Sequence, residues 1–318
     1  MAAKIDIRAV ESPNAAEIYI SATPGEGTTP ENQAQEIFSG IHDILQSKKA
    51  HILQERIFAT PGVMDIISSA RAKAYGNLDD GVAPSLLLAK EGLSGPIAGV
   101  QVYAITADNR PEVIRIDEKL CGRAINTTGC KYLTLSGLSI PQAANNTDQA
   151  KTMMQKAESV LRQFEAGFLS VPRTWMWLKD ILSWYDDFNH VRTQFFTENK
   201  LIGDGTRQSM PASTGIGLGP ADGCDCAMDL TAVLEPKNSI KFLQAIGKQQ
   251  CAMEYGSAFS RASEAITPAG KTVFVSGTAS IDADGITTNI GDASGQIATT
   301  IDNVRAVLSD MNCKDEDV

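Results

Sequence analysis

The chain has 318 residues, 43% hydrophobic and 21% charged, with a formal net charge of −10. That length suits two or three compact units, and the acidic balance without a Lys/Arg cluster argues against nucleic acid as the main partner. No run of about 18 apolar residues suggests a membrane span, and six cysteines without a CxxC pair give no disulfide framework.

In chain order, the opening MAAKIDIRAVESPN lacks an apolar h-region, so a cytoplasmic protein is expected. EIYISATP (17–24) alternates as a strand, PGEGTTPEN reads as a loop, and after Gln35 the period turns helical, with Ile37, Ile41 and Leu45 on one face. The same order returns at KYLTLSGL (131–138). There the loop SIPQAANNTD leads to Gln149 and to a helical stripe of Met153, Ala157, Val160, Leu161 and Phe164.

This second copy continues. Thr174–Leu178 (TWMWL) alternates like a strand, and DILSWYDDFNHVRTQFFTEN reads as a helix. Ile181, Trp184, Phe188, Val191 and Phe195 form its core stripe, and Tyr185, Asn189, Arg192 and Phe196 form the adjacent one. The Gly-rich turn MPASTGIGLG and the strand CAMDLTAVLEP close the unit. A third copy begins at KTVFVSGT (271–278), passes through SIDADGITTNIGDASG to Gln296, and predicts a helix with Ile297, Ile301, Val304, Leu308 and Met311 on one face.

A period of about 115 to 140 residues is too long for a solenoid and fits tandem domains. The expected division is 1–125 (degenerate), 126–236, and an incomplete unit over 250–318. The third copy stops where the second goes on to a strand, a helix and a closing strand. The chain is therefore expected to be incomplete, or to borrow that part of a sheet from a partner.

Metal and cofactor signals are weak. Cys224-Asp225-Cys226 is spaced too closely for the usual zinc pair, and His42, His51 and His190 are scattered. There is no GxGxxG after a strand and no P-loop. No metal and no cofactor are expected.

The 131–236 segment resembles the RidA/YjgF fold, which implies an α/β (α+β) architecture of mixed sheets with helices packed on one face. Three such units in one chain imply an internal pseudo-trimer, acting as a monomer or as a homo-oligomer. The family's P-A-R-S is matched by Pro211-Ala212-Ser213-Thr214, so Ser213 replaces the carboxylate-holding Arg. Its V-E-I-E is matched by Met228-Asp229-Leu230-Thr231, so Thr231 replaces the second acid. Both departures put imine deamination by this unit in doubt. A deaminase using the first or third unit stays open as an alternative, with Gly122-Arg123-Ala124-Ile125 as the nearest motif.

The longer run is more specific. R-T-W-x-W-L-x-D-I-L-x-W-Y-x-x-F-N-x-V-R, then P-A-S-T-G-I-G, G-S-A-F-S-R-A-S and V-F-V-S-G-T-A-S-I, resembles the chorismatases. That family is also labelled pteridine-dependent-deoxygenase-like, though no feature here points to a pteridine. The resemblance implies cleavage of the enolpyruvyl ether of chorismate to pyruvate and a dihydroxycyclohexadiene carboxylate or hydroxybenzoate.

Such chemistry needs a neutral carboxylic acid to protonate the enol ether, and donors for two carboxylates. The family's catalytic Glu belongs to a final strand expected beyond Val318, so no catalytic residue is assigned. For the dianion, the candidates are Arg173, Arg192 and Arg261, with Tyr185 and Asn189 beside Arg192 on its helix. Ser213, Thr214 and Gly215 offer hydroxyls on a flexible turn, and Ser276-Gly277 ends a strand facing an inter-domain groove in the RidA arrangement. Trp175, Trp177 and Trp184 are read as core. The alternative from another class is a non-catalytic RidA-like binding or assembly module.

Overall fold

In the computed structural model, which describes residues 2–203 and 208–318, the first apolar alternation becomes β2 (Ala15–Thr23), hairpinned onto β1 (Lys4–Glu11). Ile18, Ile20 and Ala22 face inward, where α1 (Pro30–Ser47) covers them with Ile37, Phe38, Ile41 and Leu45. Each such side chain contributes about 1.5–3 kcal/mol by leaving water. The chain goes on through β3 (His51–Ala59), α2 (Met64–Tyr75), β4 (Ser85–Leu88) and β5 (Ile97–Ala107).

A second run follows with β6 (Glu112–Ile116), β7 (Lys119–Thr127), β8 (Cys130–Ser139), α3 (Asn146–Gln163), β9 (Arg173–Leu178), α4 (Tyr185–Glu198), β10 (Ala212–Ile216), β11 (Gly219–Pro220) and β12 (Cys226–Glu235). The third run has β13 (Lys241–Leu243), β14 (Ala262–Thr267), β15 (Gly270–Val275) and α5 (Ala293–Asp310).

Strand order shows the repeat directly. The first sheet runs β1-β2-β5-β3-β4 and the second β7-β8-β12-β9-β10, so the same connections are made twice. β6-β7-β8 and β13-β14-β15 match in the same way. The first unit is thus a full topological copy, although its sequence shows less of the pattern.

The expected break at 125/126 falls inside β7, which pairs with β8 from Gly122↔Leu135 to Thr127↔Cys130. The change of sheet lies between β5 and β6, at 108–111. The repeated glutamine also needs correction in the first unit. Helix caps Thr29, Asn145 and Asp292 each accept a backbone N–H, and four residues beyond them stand Gln33, Gln149 and Gln296. Gln33 is buried and ties Gly25 O and Ser94 O, whereas Gln35 is exposed.

Two stripes differ from expectation. α4 starts at Tyr185, because Asp180 adopts a left-handed φ of 48° and Ile181–Ser183 form a separate turn. In α5, Ile297 and Ile301 are exposed while Asn303, Val307 and Leu308 are buried. Among the described residues the third sheet has three strands, and the second half of α5 makes the contact.

The three units meet at a shared buried cluster that includes Leu53 and Tyr103 from the first, Tyr132 and Val233 from the second, and Ala265 from the third. Glu17 fastens this junction. Its carboxylate accepts from Tyr103 Oη, from Thr267 Oγ1 at 2.7 Å and from Ala269 N at 3.0 Å. Among the described residues, no helix is long and apolar enough to cross a membrane.

Candidate functional site

β9 and β10 run parallel at the edge of the second sheet, with Arg173 opposite Ala212 and Thr174 opposite Ser213. Side chains alternate across the pleat, so Thr174 and Ser213 share one face while Arg173 and Thr214 share the other. Thr174 Oγ1 donates to Ser213 Oγ at 2.9 Å, and Arg173 Nη2 donates to Thr214 Oγ1 at 2.5 Å.

The third unit docks along this edge. Ala212 bridges Ser260 in parallel, and Ser213 N donates to Ser276 Oγ at 2.8 Å. Gly277 N reaches Ser213 O at 3.2 Å and Thr214 Oγ1 at 2.9 Å. A Cβ at Gly277 would lie 2.6 Å from Thr214 Cγ2, so this approach requires glycine.

Above the Ser213 face, α4 supplies Asn189 and Arg192, joined at 2.6 Å. The Arg192 guanidinium carbon lies 5.1 Å from the Phe188 ring centre and 5.5 Å from that of Phe259. Arg261, just before β14, lies 5.4 Å from the Phe259 ring centre and 5.2 Å from that of Tyr255, and its Nε donates to Gln250 O at 3.0 Å. Tyr185 neighbours both Gly215 and Arg192.

The ten residues singled out in the sequence therefore fall into two groups. Arg173, Thr214 and Gly277 stand on one side of β10. Tyr185, Asn189, Arg192, Ser213 and Gly215 stand on the other, with Ser276 bonded to Ser213 and Arg261 sharing Phe259 with Arg192. Both groups meet the third unit at the same strand edge.

Their charge is the salient property. Among the described residues, six arginines are buried. Three are neutralised by carboxylates: Arg56 by Asp229 at 2.6 Å, Arg71 by Glu55 at 2.6 Å and Asp79 at 3.0 Å, and Arg123 by Asp80 at 2.6 Å. The other three are Arg173, Arg192 and Arg261, and none has an ion-pair partner among the described residues. Each keeps one guanidinium nitrogen without any hydrogen bond: Arg173 Nη1, Arg192 Nε and Arg261 Nη2. Burial, and then the charge of Arg56, pushes the Arg173 pKa down to about 9. Burial also lowers that of Arg192, against the opposing pull of Tyr185. An ion left this way costs several kcal/mol unless an anion joins it.

Arg71 and Arg192 sit seven residues into α2 and α4, so the contrast between them falls at like positions of the repeat. Arg123, the centre of the Gly122-Arg123-Ala124-Ile125 motif, lies inside β7 and clamps Asp80 through two nitrogens. It is not free to hold a substrate.

Arg56, Tyr255 and Phe259 escaped the sequence reading. Phe259 stands two residues before Arg261 in a stretch already singled out, but a ring held between two cations has no periodic signature. Trp177 and Trp184 are core. Trp175 is only half-buried, and its ring carries the guanidinium groups of Arg56 at 4.1 Å and Arg173 at 4.8 Å. Cys224 and Cys226 are buried thiols whose pKa values burial pushes up to about 11 and about 12. Among the described residues, no cluster of His, Cys, Asp and Glu could hold a metal ion.

No family profile and no curated protein matches the chain. Among solved structures, a chorismatase superposes with a TM-score of 0.56 at 16% identity, over 98% of this chain and 80% of that one. Smaller proteins align over part of it. Yeast Mmf1 does so over 40% of this chain and 94% of its own (TM-score 0.30, 15% identity), and Rv2704 of Mycobacterium tuberculosis, of the YjgF/YER057c/UK114 family, over 32% and 78% (TM-score 0.25, 18% identity). Repeated sheets, a shared centre and a superposition over nearly all of this chain lead to one conclusion: this chain has the chorismatase fold.

Proposed function

We propose that the junction of the second and third units binds a small dianionic carboxylate of the chorismate type, and that the chain is a chorismatase-like protein acting on its enolpyruvyl ether. The observation that carries this reading is the set of three buried arginines that have no carboxylate partner among the described residues. A dianion supplies the missing charge, and the guanidinium forks suit carboxylate geometry. Tyr185, Asn189, Ser213 and Thr214 line the same edge and offer neutral hydrogen bonds to ring hydroxyls. The reaction releases pyruvate and a dihydroxycyclohexadiene carboxylate or hydroxybenzoate.

Protonation of the enol ether calls for a carboxylic acid. None of the ten residues singled out at this edge is a carboxylic acid, and this favours a second reading, a ligand-binding module without turnover. Calorimetric titration with chorismate and a coupled pyruvate assay separate the two. Binding with pyruvate release supports the enzyme, and binding without release supports the module. Failure to bind chorismate at neutral pH and low salt would remove both.

A further inference from the structure

The junction of the first and second units assembles the same kinds of group as the one just described. β8 carries Ser136-Gly137 near its end as β15 leads into Ser276-Gly277. Gly137 faces Ser85 of β4, where an added Cβ would lie 3.4 Å from the Ser85 side chain, as Gly277 faces Thr214 of β10. Each junction therefore brings together a hydroxyl, a glycine N–H and a buried arginine. At the second junction these are Thr214, Gly277 and Arg173, and among the described residues no carboxylate joins them.

At the first junction a carboxylate is present, and it belongs to the protein. Asp229, wholly buried on β12, accepts from Ser85 Oγ at 2.6 Å and from Gly137 N at 2.7 Å through Oδ1, and from Arg56 Nε at 2.6 Å through Oδ2. Arg56 Nη2 is held by Gln54 Oε1 at 3.0 Å, and its guanidinium lies against Trp175. Beside this cradle opens a cavity of about 340 Å³ lined by Ser85, Ser136, Gly137 and Lys119 among others. The buried Ser136 hydroxyl there has no hydrogen-bond partner.

We propose that the first junction is a carboxylate-binding cradle filled by the side chain of Asp229, and that it accepts a free small monocarboxylate once that side chain is shortened. Two neutral donors and a guanidinium converge on one carboxylate, an arrangement that recognises a carboxylate as such rather than the residue carrying it. Asp229 thereby acts as a tethered ligand, present at high effective concentration because it is built into the sheet.

The test is chemical rescue in the full chain. Asp229→Ala removes the carboxylate and leaves Arg56, Ser85 and Gly137 facing a gap. Thermal melts are run in sodium formate, in sodium chloride of equal ionic strength and in formamide. The expected result is a saturable rise of the Asp229→Ala melting temperature with formate alone, and no formate-specific shift for the parent protein. Three non-hydrogen atoms set a ceiling on formate affinity, so half-saturation is expected no tighter than about 1 mM. Asp229→Asn, which fills the gap with an amide, is expected to show no rescue.

If Asp229→Ala is insoluble, refolding from denaturant reads the same property, with recovery several-fold higher in formate than in chloride. Equal behaviour in formate and chloride, in melting or in recovery, overturns the proposal. Chorismate is not used, so the outcome is independent of the function proposed for the second junction.

Discussion

Replacing Arg192 and Arg71 by methionine, one at a time, sets a buried cation without a carboxylate against one that has two. Arg192→Met removes an uncompensated ion, which is worth about 1–4 kcal/mol when an apolar chain fills the space. Against this, Asn189 Oδ1 loses its donor, at a cost of about 1–3 kcal/mol for a buried acceptor. The two nearly cancel. Arg71→Met has no such offset. It leaves Glu55, 1% exposed and bonded otherwise only to Tyr75 Oη, as an unpaired buried charge, at about 3–5 kcal/mol.

The two substitutions should therefore differ by about 3 kcal/mol or more, which at roughly 2 °C per kcal/mol is about 6 °C in melting temperature. Differential scanning calorimetry of the ligand-free proteins reads this. Chorismate titration should show at least a 30-fold loss for Arg192→Met, the scale expected when one member of a buried charged contact is removed. Equal destabilisation by both substitutions, with chorismate binding intact in Arg192→Met, would mean that Arg192 is structural and that its charge is answered within the protein.

Ligand affinity should be level below about pH 8 and fall about tenfold per pH unit above 9 in titrations across that range. The folded pKa of Arg173 lies below its unfolded value, so the cost of burying it charged is present below pH 9 and is relieved as pH rises, while a bound carboxylate needs the proton to stay. Gly277→Ala should leave secondary structure unchanged by circular dichroism but weaken chorismate binding tenfold or more, because the new methyl displaces Thr214 and the Gly277 N–H with it. Glu17→Ala should cost about 2–4 kcal/mol in denaturant unfolding, since Tyr103, Thr267 and Ala269 N lose their acceptor. Limited proteolysis of that variant should cut first near 268–269, where the third unit is pinned to the first.

The repeat was legible because strand alternation and helical stripes are local signals, as in Ile18-Ile20-Ala22 or Met153-Ala157-Val160. The second half of the first unit was not. β3 reads HILQERIFA, with Gln54, Glu55 and Arg56 all buried in mid-strand, and such a run looks like surface until its partners across the sheets are known. The arginines of the site were legible by resemblance. Their shared lack of counter-ions was not, because a missing carboxylate is a fact about space. Asp229 drew notice only as an acidic position in Met228-Asp229-Leu230-Thr231, since its partners Ser85 and Gly137 stand 144 and 92 residues away.

Joining the units in one chain has a consequence for how their junctions can change. In a ring of identical subunits, any substitution appears at every junction at once, so an aspartate that fills one pocket fills them all. Here the strand that carries Asp229 occurs in the second unit, and the acids that neutralise Arg71 occur in the first. One junction can serve cohesion while the other keeps its buried demand for charge. Symmetry broken in this way lets a single polypeptide answer a buried charge at one junction and leave it unanswered at another, a difference that a ring of identical subunits does not encode.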